Sequence, residues 1–193
     1  MFLERRCPGC GRDSRFVCES CWQQLRPAAG RSLFQYDDLG RSIVLAAKNS
    51  GRRDLWRPLG RALAAEVVEP VDLVTWVPAS RTHRQERGYD QGRLLARSVA
   101  RRLGVPHRRL LRRADRRSQT GQSRDQRLVG PSLTVTGRPP PGRVLLVDDV
   151  RTTGASLRAG VVALRSAGFT AVTVMTVAAV DPRSSAGEHQ RAA

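Results

Sequence analysis

Lysine is almost missing from this 193-residue chain: Lys48 is the only one, set between Ala46-Ala47 and Asn49. No G-x-x-x-x-G-K-[ST] loop exists, which argues against P-loop nucleotide chemistry. Aromatic residues make up 5% of the chain, and none lies between residues 97 and 127. That stretch therefore lacks the base-stacking platforms of many single-strand binders. The three histidines, His83, His107 and His189, show no ligand spacing, which sets a histidine-based hydrolytic metal site aside. No apolar run approaches the ~18 residues of a spanning helix. The longest, residues 171–180, is interrupted by threonines, so no membrane span is expected. Glu4, Arg5 and Arg6 break the N-terminus before any leader-like apolar stretch, which predicts a cytoplasmic chain.

What the chain has in excess is arginine. Lysine and arginine total 34 against 17 acidic residues, a net charge of +17 that suggests an anionic partner such as nucleic acid or a polyphosphate. A GC-rich coding sequence would produce the same skew without selection for binding. The charge is uneven, with eleven arginines in residues 97–127 against Asp115 and Asp125. Pairs recur at Arg108-Arg109, Arg112-Arg113 and Arg116-Arg117, so one face could track the phosphates of single-stranded DNA.

All four cysteines fall into two C-x-x-C pairs, Cys7-Pro8-Gly9-Cys10 and Cys18-Glu19-Ser20-Cys21. Each pair can wrap two thiolates onto one ion, and four soft ligands close a tetrahedral sphere. The expected ligand is a structural zinc. A redox C-x-x-C would open a helix in a βαβ unit, and these pairs precede any such unit. Disulfides would need an oxidising compartment, to which nothing points.

Chemistry concentrates in residues 144–156, Val-Leu-Leu-Val-Asp-Asp-Val-Arg-Thr-Thr-Gly-Ala-Ser. Four apolar residues have the length and branching of a strand buried on both faces. Asp148 and Asp149 then emerge at its carboxyl end, where open α/β sheets bind ligands. The run Thr152-Thr153-Gly154-Ala155-Ser156 has small side chains and one flexible residue, so its N–H groups can converge on an anion at a helix start. The pattern suits a phosphorylated sugar. An ordinary buried strand with a polar turn, and a Walker B strand, read similarly, the latter without the loop it needs.

The organisation is α/β. Residues 1–26 read as a zinc-ribbon module, with Pro27-Ala28-Ala29-Gly30 as its exit. Leu39, Ile43 and Ala47, then Leu55, Leu59, Leu63 and Val67, repeat at helical spacing. A strand at residues 73–77 ends in the loop Pro78-Ala79-Ser80-Arg81, where an arginine suits phosphate oxygens. Further helices carry Leu94, Leu95, Val99 and Leu103, ending at Gly104, and Leu157, Val161 and Leu164, ending at Gly168. A last strand runs from Thr170 to about Val180, the stretch 106–142 reads as irregular, and the tail 181–193 as disordered. Strands alternating with helices predict a parallel sheet with flanking helices over residues 27–180.

The strand, its two acids and the Thr/Gly-rich loop resemble the signature of type I phosphoribosyltransferases, which bind 5-phosphoribosyl-1-pyrophosphate (PRPP). The resemblance implies that Asp148 and Asp149 face the ribose hydroxyls and serve catalysis, and that Thr152, Thr153, Gly154, Ala155 and Ser156 hold the 5′-phosphate. It puts the pyrophosphate at Ser80 and Arg81, with Mg²⁺ arriving with PRPP. Adding the cysteine knuckles, Lys48, Arg87-Gly88-Tyr89-Asp90-Gln91 and the segment with Gln119, Gln122, Arg124 and Arg127, the whole chain resembles the ComF family. The Asn expected after the last arginine is replaced by Leu128-Val129-Gly130-Pro131. That family implies a zinc ribbon joined to a phosphoribosyltransferase domain, with a role in DNA uptake during competence. Two functions follow as expectations: transfer of phosphoribose to an acceptor, or a non-enzymatic module that binds DNA and assembles with DNA-transport or repair proteins.

Overall fold

The computed structural model describes residues 6–49, 51–113, 131–137 and 142–181. The Gln- and Arg-bearing segment at 119–127, the triple proline at 139–141 and the tail beyond Asp181 lie outside the described residues. Four strands form one parallel sheet in the order β1 (Ser32–Gln35), β6 (Ala171–Ala179), β5 (Arg143–Arg151), β2 (Leu73–Trp76). Residues 106–108 extend it past β2, as Val74 N donates to Pro106 O at 2.9 Å and Arg108 N to Val74 O at 3.0 Å.

Alternation along β5 decides which residues meet which layer. Leu145 and Val147, with Val74 and Trp76, face α2 (Asp38–Asn49), α3 (Trp56–Ala65) and α5 (Gln91–Leu103). Val144 and Leu146, with Leu73 and Val77, face α6 (Ala155–Ser166) and an antiparallel pair, β3 (Leu111–Arg113) with β4 (Leu133–Val135). Both strands of that pair fall in the stretch read from sequence as irregular. Each has only three residues, too few for a period to show. β1, a four-residue edge strand, carried no strand signal of its own either.

The helices start and stop where local chemistry puts them. Asp37 Oδ1 accepts Gly40 N at 3.0 Å to open α2, and Asp90 Oδ1 accepts Arg93 N at 3.4 Å to open α5. Gly104 closes α5 at φ 72°. One short helix was not expected: α4 (Arg81–Arg87) begins directly after the loop at residues 78–80.

The four-cysteine module, with α1 (Glu19–Gln24) carrying the second pair, lies against the first helical layer. Gly9 Cβ, if present, would be 2.6 Å from Leu39 Cδ1 and 2.8 Å from Cys21 Sγ. Arg52 ties the module down, its Nη1 donating to Arg6 O at 2.9 Å and its Nη2 to Arg15 O at 2.5 Å, while its Nε pairs with Asp54 at 3.1 Å.

Close approach also fixes the start of α2. A Cβ on Gly40 would lie 2.1 Å from the Gln35 carbonyl oxygen and 2.9 Å from Phe34 Cδ2. Because the first obstacle is backbone, Gly40→Ala should cost about 1–3 kcal/mol of stability. Urea unfolding should show a lower midpoint at unchanged slope, and a midpoint like the parent's would refute the packing account.

Candidate functional site

β5 runs further than its apolar residues. The sequence reading puts both carboxylates at the strand's carboxyl end, and the strand continues two residues past them. They lie inside it, because β6 continues alongside and pairs Asp148 with Thr176 and Val150 with Ala178. β2 stops at Trp76, opposite Val147, so from Asp148 onward β5 has a neighbour on one side only. The two acids therefore sit on a crest at the sheet's carboxyl edge, pointing to opposite faces.

Asp149 points to the α2 and α5 side and is 6% exposed. Lys48 Nζ, from the last turn of α2, stands 2.9 Å from its Oδ1, and Gln91 Nε2 donates to its Oδ2 at 3.1 Å. Both oxygens are thus engaged. Gln91 Oε1 is buried and has no hydrogen-bond partner among the described residues. Asp148 lies on the other side, its Oδ1 accepting Asp149 N at 2.9 Å. Burial, reinforced by the charge of Asp149, pushes the Asp148 carboxyl well above the usual carboxylate range, against the pull of Lys48 and Arg113.

Arg113 was read from sequence as one of the paired arginines on a polymer-tracking face. The structure turns it inward from β3, where its Nε donates to Pro78 O at 2.8 Å. Burial holds its pKa below the ordinary value, with Asp148 and Asp90 opposing. Of the three arginine pairs, Arg116-Arg117 lies outside the described residues. With Pro78, Ala79, Arg81, Arg84 and Arg109, Arg112 and Arg113 line a cleft of about 400 Å³. Ser80, read as a ligand residue, caps α4, its Oγ accepting His83 N at 3.2 Å.

The loop after β5 is short. Thr152 and Thr153 are exposed, Gly154 turns the chain at φ 74°, and α6 begins at Ala155 with no side-chain cap besides the Thr153 hydroxyl, which accepts Ala155 N at 3.3 Å. Arg158 Nη1 donates to Thr153 O at 2.7 Å. Ser156 lies in the first turn, where N–H groups lack intrahelical partners and the helix dipole favours an anion.

The motif Arg87-Gly88-Tyr89-Asp90-Gln91 gains a structural reading that spacing alone could not give. Gly88 turns left-handed at φ 70° to end α4. Tyr89 donates its hydroxyl to Ala47 O at 2.5 Å and Lys48 O at 3.1 Å, closing α2 under the lysine, and Arg53 covers its ring at 4.4 Å. Asp90 accepts Trp76 Nε1 at 3.2 Å. Gln91 reaches Asp149. Removing Lys48 alone should strand a buried carboxylate and cost about 3 kcal/mol, while Lys48→Met with Asp149→Asn should recover most of it. Denaturant unfolding of Lys48→Met, Asp149→Asn and the double variant measures this coupling, and additive losses would refute it.

The four cysteine sulfurs lie within 4.8 Å of one another, with Cys10 Sγ and Cys18 Sγ 3.6 Å apart. Tetrahedral zinc at about 2.3 Å from each sulfur needs separations of this order, so the set fits the ion. Burial opposes the Cys7 thiolate, yet hydrogen bonds from Cys18, Cys10 and Gly9 prevail and bring its pKa down to about 6. Cys18 N donates to Cys7 Sγ at 3.4 Å. Burial, with the neighbouring sulfurs, pushes Cys21 up. Purified protein should carry one zinc per chain, and Cys10→Ser should lose both metal and stability. Elemental analysis tests this, and a folded, metal-free protein with four titratable thiols would overturn it.

The chain is 25% identical over 166 residues to Competence protein ComFC of Bacillus subtilis, covering 78% of this chain and 68% of that one. It is 48% identical over 54 residues to Orotate phosphoribosyltransferase of Aeropyrum pernix, a match spanning 28% of each chain. A crystal structure of orotate phosphoribosyltransferase from Aeropyrum pernix superposes with a TM-score of 0.43 at 20% identity, over 88% of this chain and 90% of that one. The family model for the phosphoribosyl transferase domain matches residues 90–192. With more than half of its length inside that match, and its parallel sheet and flanking helices arranged as a type I phosphoribosyltransferase fold, the chain belongs to the phosphoribosyl transferase domain family.

Proposed function

We propose that the crest of β5 binds PRPP, and that the protein is a phosphoribosyltransferase of ComF type acting on an acceptor with a nucleophilic nitrogen. The observation that carries this reading is the placement of Asp148 beside the loop at 152–156. One acid lies on the cleft side of the crest, and three residues beyond the strand the start of α6 has only the Thr153 hydroxyl as a side-chain cap. In this reading Asp148 and Asp149 face the ribose hydroxyls, and Thr152, Thr153, Gly154, Ala155 and Ser156 enclose the 5′-phosphate. Arg81, with Arg113, faces the pyrophosphate across the cleft.

Mg²⁺ fits the donors present. Asp148 has an oxygen left after accepting Asp149 N, and a hard cation that leans on substrate phosphates needs few protein ligands. When bound, it would neutralise charge developing on the departing pyrophosphate. The residues supply positioning and electrostatics: the arginines stabilise the leaving group, and Lys48 with Gln91 holds Asp149 fixed. Residues 1–26 form the zinc-ribbon module and 27–180 the transferase-like domain.

One observation favours a second reading. Both oxygens of Asp149 are already occupied, so a ribose hydroxyl must compete with Lys48 or Gln91 for it. A site that holds its sugar without turnover, within an assembly for DNA uptake or repair, would tolerate this.

PRPP with Mg²⁺ should raise the melting temperature, since binding to the native state alone stabilises it, and ATP should do so much less. Thr153→Val should reduce the shift by removing a hydroxyl from the phosphate, about 1–3 kcal/mol for a charge-assisted hydrogen bond. Asp149→Asn should reduce it too, and Gly154→Val should abolish it. No shift at millimolar PRPP, or a shift unchanged by these substitutions, would dismiss both readings of the sugar site.

A further inference from the structure

The short helix after Ser80 presents different side chains to two hollows. Arg81 and Arg84, three residues apart on α4, line the cleft beside Arg113. His83, Glu86 and Arg87 stand on its other side, where they line a separate pocket of about 480 Å³ with Lys48, Arg53 and Tyr89. That volume lies within the range of small-molecule sites.

Lys48 fixes where this pocket lies. Its ammonium pairs with Asp149 at 2.9 Å on the α2 side of the crest, whereas the cleft adjoins Arg113 and Asp148 on the other side. A ribose laid on the crest would thus have one hollow on each side of it. At a sugar carbon, a nucleophile that inverts the centre attacks from the face opposite the leaving group. With pyrophosphate against Arg81 and Arg113, the opposite hollow is the pocket at Lys48.

The charges in this pocket select what enters. Lys48 is committed to Asp149. That leaves Arg53 and Arg87 against one acid, Glu86, an excess of one positive charge. Among the described residues none of these three makes an ion pair, and the Glu86 carboxylate accepts no hydrogen bond. The Arg53 guanidinium is settled in place, 4.4 Å from the centroid of the Tyr89 ring. A carboxylate supplies one negative charge and matches the planar fork of a guanidinium. A phosphate monoester brings about 1.5–2 negative charges and would overshoot the balance. Glu86 is left for a donor, which a nucleophilic N–H provides.

We propose that this pocket holds the acceptor of the transfer, and that the acceptor carries a carboxylate beside its nucleophilic N–H, the carboxylate held by Arg53 and Arg87 and the N–H by Glu86. The proposal rests on the PRPP reading of the crest. In the step, the acceptor nitrogen forms a bond to C1 of the ribose. The bond from C1 to the pyrophosphate oxygen breaks, its electron pair leaving on pyrophosphate, and the nitrogen's proton passes to the Glu86 carboxylate and then to water.

The test is pyrophosphate release by the full, zinc-loaded chain with PRPP and Mg²⁺, using acceptors that differ only in the carboxylate: orotate against uracil, and 2-aminobenzoate against aniline. At least one carboxylated member should react with kcat/KM about ten times that of its uncharged counterpart or more. Arg87→Gln should raise KM for that member about tenfold and leave kcat nearly unchanged. Arg87→Lys, a cation without the fork, should restore part of the loss. Glu86→Gln should instead lower kcat about a hundredfold at nearly unchanged KM. Arg41→Gln, at an exposed position of α2, should change neither constant. Melting transitions like the parent's confirm that the variants report on the pocket.

The rise in melting temperature with PRPP separates this proposal from the reading beneath it. A parent protein without that rise fails at the sugar site and overturns both. A parent protein that shows the rise but neither binds nor turns over either carboxylated probe at millimolar concentration overturns the acceptor pocket alone. Equal use of the charged and uncharged members, or an Arg87→Gln variant that keeps its KM, does the same.

Discussion

The ion pair between Lys48 and Asp149 constrains the rest of the site. A carboxylate taken almost wholly out of water must be matched by a cation and by hydrogen bonds, or the sheet cannot carry it. Here the cation comes from the C-terminal turn of α2, where the helix dipole already favours positive charge. Helix ends leave carbonyls without partners, and Tyr89 satisfies two of them directly behind the lysine. The same short segment then opens α5 with Asp90 and delivers Gln91 to the second oxygen of Asp149. Four separate demands, on α4, α2, α5 and β5, are met by four consecutive residues, Gly88 to Gln91.

The N-terminal module answers a different constraint. A segment of some twenty residues cannot bury a core of its own, and a metal held by the four cysteines would substitute for one. The four sulfurs lie within 4.8 Å of one another, with Cys7 pulled down by hydrogen bonds and Cys21 pushed up by burial. A zinc ion there would favour the thiolate at each position. Arg52 then couples this module to the domain through backbone carbonyls at Arg6 and Arg15, so the order of the module and of the turn before α3 are linked.

Whatever announces itself through a repeated local pattern was legible in the sequence. The continuous apolar run at 144–147 marked the central strand, the four-residue spacings marked α2, α3, α5 and α6, and the cysteine pairs marked a cluster whose sulfurs do converge. β1, β3 and β4 are three or four residues long and owe their state to partners across the sheet, which no local window contains. The site divides in the same way. Asp148, Asp149 and the turn at Gly154 are contiguous and were readable together. Lys48 and Gln91 were noticed without roles, because their meeting at Asp149 depends on the crossing of α2 and α5 over β5. Arg113 was assigned to the surface, and only the pairing of β3 with β4 turns it toward Pro78.

Adjacency in a strand makes the two acids unlike. Side chains of consecutive residues leave a sheet on opposite faces, so Asp149 is held between α2 and α5 while Asp148 lies toward β3 and the arginine cleft. One carboxylate is fixed by an ammonium at 2.9 Å and an amide at 3.1 Å. The other is held toward its protonated form by burial and by the negative charge next to it. Asp149 contributes part of the field that raises its neighbour. The asymmetry arises from the period of the β-strand, which sets two identical and adjacent side chains in unlike surroundings, one paired with Lys48 and Gln91, the other beside Arg113.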